Sequence, residues 1–94
     1  MQQKIDIPFR WGRTVITQNA QNTISETDIM AAFRRHIKCD WGELSDDDWE
    51  LNNSAVLNGA ARILSVYRDS NDKKFWIITD ADRSVTTVLL TSDY

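Results

Sequence analysis

Three apolar runs separated by two short polar turns fill the last third of this 94-residue chain. The runs are Ala-Arg-Ile-Leu-Ser-Val-Tyr-Arg from Ala61, Lys-Phe-Trp-Ile-Ile-Thr from Lys74, and Ser-Val-Thr-Thr-Val-Leu-Leu-Thr from Ser84. Between them stand Asp-Ser-Asn-Asp and Asp-Ala-Asp-Arg. β-branched and aromatic residues bounded by turn formers read as strands, and connections this short join antiparallel neighbours. Residues 61–94 are therefore predicted to form a three-stranded β-meander. Ile63, Ser65 and Tyr67 alternate with Leu64 and Val66, and both sets are largely apolar. One face of the meander is expected to pack on helices. The other is expected to meet an N-terminal arm or a partner chain, which makes a homodimer an open possibility.

Leu, Ile, Val and Phe make up roughly a quarter of the sequence, enough for one core and too few for two in a chain of this size. No repeat at solenoid spacing is present. The four tryptophans read as core rather than as a cofactor platform. The start, Met-Gln-Gln-Lys-Ile-Asp, lacks a signal-peptide apolar region, and no run approaches a membrane span. The single cysteine cannot staple the fold internally. The expectation is a cytoplasmic protein of one domain.

Upstream, Ile5, Ile7, Phe9 and Trp11 alternate with Lys4, Asp6, Pro8 and Arg10, which predicts an extended arm or edge strand within residues 1–24. Val15 and Ile16 suit a short strand, while Gln18–Asn22 carries almost no periodic signal. Residues 25–60 read as two helices. Ser25 is an N-cap candidate with Asp28 three residues on, and Ile24 can staple onto Ile29. Ile29, Met30, Phe33 and Ile37 then make one stripe, and Arg34, Arg35 and Lys38 suit the carbonyl end. The second helix repeats this start at Ser45, Asp48, Leu44 and Trp49. Its stripe runs through Asn52, Asn53, Val56, Leu57 and Ala60, with Asn58-Gly59 as the stop. An inward asparagine needs partners, and Asn52 is expected to bond backbone at the helix–sheet seam or to contact a ligand.

Three blocks carry a resemblance. They are His36-x-x-Cys39-Asp40-Trp41-Gly42, Arg62-x-x-Ser65-x-Tyr67, and Trp76-x-Ile78-Thr79-x-Ala81-Asp82-Arg83-Ser84-x-Thr86-Thr87-x-Leu89-Leu90, with a terminal Tyr94. Over roughly residues 9–94 they resemble a family of small uncharacterised bacterial proteins of plasmids and other mobile elements, some of them labelled as restriction-modification subunits. The resemblance implies a mobile-element setting and no defined activity. The family has glycine where this chain has Cys39, which makes that thiol incidental.

The residues themselves exclude several chemistries. Methyl transfer lacks its motif, since Pro8 is the one proline, and the chain is too short for a complete doubly wound cofactor sheet. A phosphate-binding Gly-rich loop is missing. His36 and Cys39 offer a metal two ligands where zinc takes four, and no further His or Cys exists. As a base and nucleophile pair they straddle a helix end, where spacing fixes no geometry. Asp80 and Asp82 resemble a carboxylate pair, but turn aspartates usually bond their own backbone. No catalytic residue, metal or cofactor is expected.

Charge is the remaining signal. The net charge is −3, which argues against general phosphate-backbone binding. A nucleic-acid face would need Arg34, Arg35, Lys38, Arg62 and Arg68 to converge. Between Cys39 and Ala61 lie Asp40, Glu43, Asp46, Asp47, Asp48 and Glu50 with no base, while the remainder is net positive. Such asymmetry can steer a basic partner, although acids also suit a helix start. The expected architecture is α+β, with two short helices on an antiparallel sheet of three to four strands. The expected function is protein binding, in an anti-defence role in its sharpest form, through Asp46, Asp47, Asp48 and an exposed Trp41. The alternative is a small-ligand module with a polar cluster of His36, Asp40, Asp82 and Arg83, joined by Asn52, at the helix–sheet seam.

Overall fold

The computed structural model describes residues 8–94, so the alternation at Ile5 and Ile7 lies outside the described residues. In chain order the elements are β1 (Arg13–Ile16), α1 (Gln18–Thr23), α2 (Glu26–Ile37), α3 (Asp46–Asn58), β2 (Ile63–Arg68), β3 (Lys74–Thr79) and β4 (Val85–Leu90). A 3₁₀ turn at Thr91–Asp93 follows. The sheet order is β1-β4-β3-β2. β2, β3 and β4 form the antiparallel meander that their turn residues predict, and the domain is α+β.

Two features depart from expectation. The sheet is mixed, because β1 pairs parallel with β4. Parallel pairing needs a long crossover, and all three helices lie between the two strands in sequence. Residues 1–24 are also more than an extended arm, since they contain β1 and a third helix. α1 starts where the Thr17 hydroxyl accepts the Ala20 N–H at 3.1 Å. It buries only Ala20, so six residues of mostly amide character show no apolar period.

The two longer helices start as read. The Ser25 and Ser45 hydroxyls each accept an N–H three residues on, at 3.2 Å. Asp28 does not close a capping box. Its carboxylate instead takes the N–H and hydroxyl of Ser70, tying the start of α2 to the β2–β3 turn. The stripes are narrower than expected: Met30 is half exposed, and Leu57 points outward at 86% exposure. Inward positions go to Ala32, His36, Asn52 and Ala55.

Helices cover the face bearing Ile63, Ser65, Tyr67, Phe75, Ile77, Thr79, Thr86, Val88 and Leu90, all buried. Toward one end of it Ala20, Ile24, Ile29 and Ala32 pack on Tyr67, Phe75 and Leu90. Toward the other, Phe9, Trp41 and Ala55 pack on Ile63. Residues 8–12 therefore join the helix layer: Phe9 meets His36 and Trp41, and Trp11 meets Phe33 edge-on. On the reverse face Tyr94 packs its edge on Trp76 at 5.3 Å between ring centres, with Arg62 over the tyrosine ring.

Candidate functional site

His36 is the one buried titratable ring in the helix layer, and α2 aims it at the middle of the sheet. Its Nδ1 is 2.5 Å from Ser65 Oγ on β2, and its Nε2 is 2.9 Å from Thr79 Oγ1 on β3. Thr79 Oγ1 is 2.7 Å from Thr86 Oγ1 on β4, and the Thr86 hydroxyl donates to the Trp11 carbonyl at 2.6 Å. That last bond orients the whole chain. Thr86 spends its proton on Trp11, so it accepts from Thr79, and Thr79 accepts from His36. The imidazole is thus the Nε2–H tautomer, and Nδ1 accepts the Ser65 hydroxyl. Burial pushes the His36 pKa down to about 4, which keeps the ring neutral.

A serine hydroxyl donating to an imidazole is the pairing that activates a nucleophile. Here Ser65 and His36 are both 0% exposed, and Phe9 and Trp41 both meet the imidazole in edge-type contacts. The chain of hydroxyls therefore lacks access for a substrate. It joins three strands, α2 and the segment before β1. Among the described residues, every buried side-chain nitrogen and oxygen has a partner.

The loop after α2 explains the Asp40-Trp41-Gly42 block. Cys39 N–H bonds the His36 carbonyl and Asp40 N–H the Arg35 carbonyl, a Schellman close that puts Cys39 at φ 66°. Its partly buried thiol is pushed up, away from thiolate character. Asp40 takes Arg35 Nε at 2.8 Å and the Gly42 N–H, and the Arg35 bond holds its carboxyl below the usual range. Arg35 also lies over the Tyr67 ring, whose hydroxyl donates to the Asp40 carbonyl. Trp41 is 0% exposed, with Nε1–H on Asn53 Oδ1. The expectation of an exposed Trp41 at a contact surface is wrong, because the ring fills the space between α3 and β2. Gly42 forms a parallel bridge with Val66, where a Cβ would sit 1.9 Å from the Val66 carbonyl oxygen.

Asn52 bonds backbone, as the seam requires. Its amide donates to the Leu64 carbonyl at 2.6 Å and accepts the Leu64 N–H at 3.2 Å. Val66 N–H bonds Trp41 and Glu43 N–H bonds Val66. The outer edge of β2 is thereby closed by a side chain and a loop.

The expected cluster of His36, Asp40, Asp82 and Arg83 does not form. Asp82 turns back on Ser84, taking its N–H and hydroxyl at 3.0 and 2.6 Å. Arg83, at φ 63°, sends its guanidinium to the carbonyls of Ala55, Ala61, Asp80 and Ala81. It locks the end of α3 to the β3–β4 turn. His36 finds threonine and serine instead, because strand alternation puts Ser65, Thr79 and Thr86 on the helix-facing side. Those three hydroxyls were the missed partners. The legible signal was polar residues at inward strand positions.

Asp46, Asp47, Asp48 and Glu50 stand exposed on α3 and make no salt bridge among the described residues. Three of the cations named for a nucleic-acid face have partners within the domain: Arg35 pairs with Asp40, Arg68 with Glu43 and Asp72, and Arg62 lies over Tyr94. A groove of about 400 Å³ runs between α3 and β2, lined by Leu44, Asp48, Leu51, Asn52, Leu64 and Arg62, among others. Among the described residues no group of three or more His, Cys, Asp or Glu could hold a metal, and no helix is long and apolar enough to cross a membrane. The fold and these sites define a small α+β domain with a braced interior and an acidic helix on its surface. Compared with protein-family models, curated proteins and solved structures, the chain finds no match in any of the three.

Proposed function

We propose that this protein is a small interaction or regulatory protein that binds a basic surface of another protein through the outer face of α3. One observation carries the proposal. Asp46, Asp47 and Glu50 share that face with Leu57, 86% exposed, and Leu51, 66% exposed, and no cation among the described residues answers the acids. Apolar anchors bordered by uncompensated charge suit a partner with the opposite pattern. The motif resemblance to plasmid-related proteins adds a mobile-element setting. In that setting the partner is the DNA-binding surface of a host defence nuclease. Capture from nuclease-treated bacterial lysates tests this. A stoichiometric protein partner is expected, and the triple variant Asp46→Asn/Asp47→Asn/Glu50→Gln should release it. Capture of nothing across hosts and salt levels, or capture indifferent to the triple variant, overturns it.

The groove between α3 and β2 favours a second reading, a small-ligand module at the helix–sheet seam. Its apolar walls and its few polar groups, Asp48, Asn52 and Arg62, are the features of such sites. A ligand raising the thermal midpoint in a library screen, with the rise abolished in Leu51→Glu, supports that reading over the first.

A further inference from the structure

We infer that the β1 edge of the sheet is a self-association surface, where a second copy of this chain adds its own β1 antiparallel to form a continuous eight-stranded sheet. The two edges of the sheet differ. Asn52 and residues 41–43 close the outer side of β2. Among the described residues β1 pairs only with β4, so one side of its backbone has no strand partner there. Arg13 N–H donates to Ser84 and Thr17 N–H to Val88, which turns the odd-numbered residues toward β4. Thr14 and Ile16 must then direct their N–H and C=O groups outward. No proline interrupts the four residues Arg13–Ile16, and Arg13 is the one charge guarding that edge.

The parity of these groups admits only registers that set even-numbered residues opposite one another, and the one centred on the strand overlaps it most. A two-fold axis through Val15 sets Thr14 opposite Ile16 of the second copy, the arrangement in which both exchange their outward groups. Arg13 then stands opposite Thr17 of the second copy. In each copy the Thr17 hydroxyl donates to Asp93 at 2.6 Å, and Asn19 and the Leu90 N–H bond the same carboxylate. Arg13, which has no ion-pair partner among the described residues, would thus face that fixed carboxylate across the interface. Two such charge pairs form by symmetry. Beside the strand, Ile16 at 38% exposure and Met30 at 44% border a largely apolar groove of about 480 Å³ with Ile24 and Ile29, to which Gln21 and Glu26 add polar walls. The same side chains of the second copy would close over it. This surface is separate from the outer face of α3, so either assignment can fail without the other.

The shared strand is short, so a weak dimer is expected, and sedimentation should be followed up to submillimolar concentration. The wild-type mass should rise from 10.9 kDa toward twice that value, more at low salt than at high salt. Thr14→Pro removes an outward N–H that β4 does not use, and Ile16→Lys places a cation at the groove. Both variants should keep the wild-type circular dichroism and stay at the monomer mass. A wild-type monomer at every concentration overturns the inference. So does a dimer that persists in the folded variants. If Thr14→Pro does not fold, Ile16→Lys decides alone, since it leaves the backbone ladder intact.

Discussion

His36 Nδ1 and Ser65 Oγ lie 2.5 Å apart in a fully buried site, and the direction of that bond is set by the Trp11 carbonyl, two hydroxyls and three hydrogen bonds away. A neutral imidazole is built into the centre of the domain. Its protonation would leave Nδ1–H facing a hydroxyl that must reverse, in a site without water access.

Stability should therefore fall on acidification in a window set by His36. The unfolded chain binds the proton near pH 6.5 and the folded chain only near 4, so protons favour unfolding between them. The contribution is complete above pH 6.5 and decreases by about 3 kcal/mol down to pH 4. Urea unfolding across that range checks it. His36→Gln, which cannot titrate, should lose the slope.

Asn52→Leu should destabilise the domain by about 2–4 kcal/mol, because it strands the Leu64 N–H and C=O behind an apolar side chain. Faster hydrogen exchange at the Leu64 amide, together with a lower urea midpoint, is the expected result. An unchanged midpoint would mean that β2 does not depend on this seal.

Arg83→Ala should release the end of α3 from the turn at Asp80 and Ala81. A loss of about 2–3 kcal/mol is expected from removing a guanidinium that serves four carbonyls. Arg83→Lys should recover little, because an ammonium cannot span them as a planar fork does. Hydrogen exchange along Ala55–Asn58 reports the loosening.

The two left-handed positions in the loop after α2 should respond in opposite ways. Gly42→Ala should cost about 2 kcal/mol or more, since its Cβ meets the Val66 carbonyl and φ is 75°. Cys39 already bears a side chain at φ 66°, so Cys39→Gly should be neutral or stabilising by up to about 1 kcal/mol. Cys39→Val, β-branched in the same conformation, should be clearly worse. Thermal midpoints of the three variants rank them.

The sequence blocks around Asp40-Trp41-Gly42 and residues 79–86 do architectural work here. Asp40, Trp41 and Gly42 build the loop that seals β2. Thr79 and Thr86 extend the histidine chain, and Asp82, Arg83 and Ser84 close a turn. Their pattern speaks to how the domain is held together more than to what it binds.

The sequence by itself determined what is local: the three C-terminal strands, the caps at Ser25 and Ser45, the left-handed stop at Gly59, and the self-bonded turn at Asp82. Each follows from hydrogen bonds or side-chain alternation within a few residues. Tertiary structure alone decided the parallel pairing of β1, because the registers of Arg13 and Val85 meet across 72 positions of chain with nothing local to link them. It also buried Trp41, which lies in an acidic stretch that reads as surface. It gave His36 its hydroxyl partners rather than Asp82 and Arg83. A side chain's partners depend on which strands lie under its helix, and that is settled by packing of the whole core.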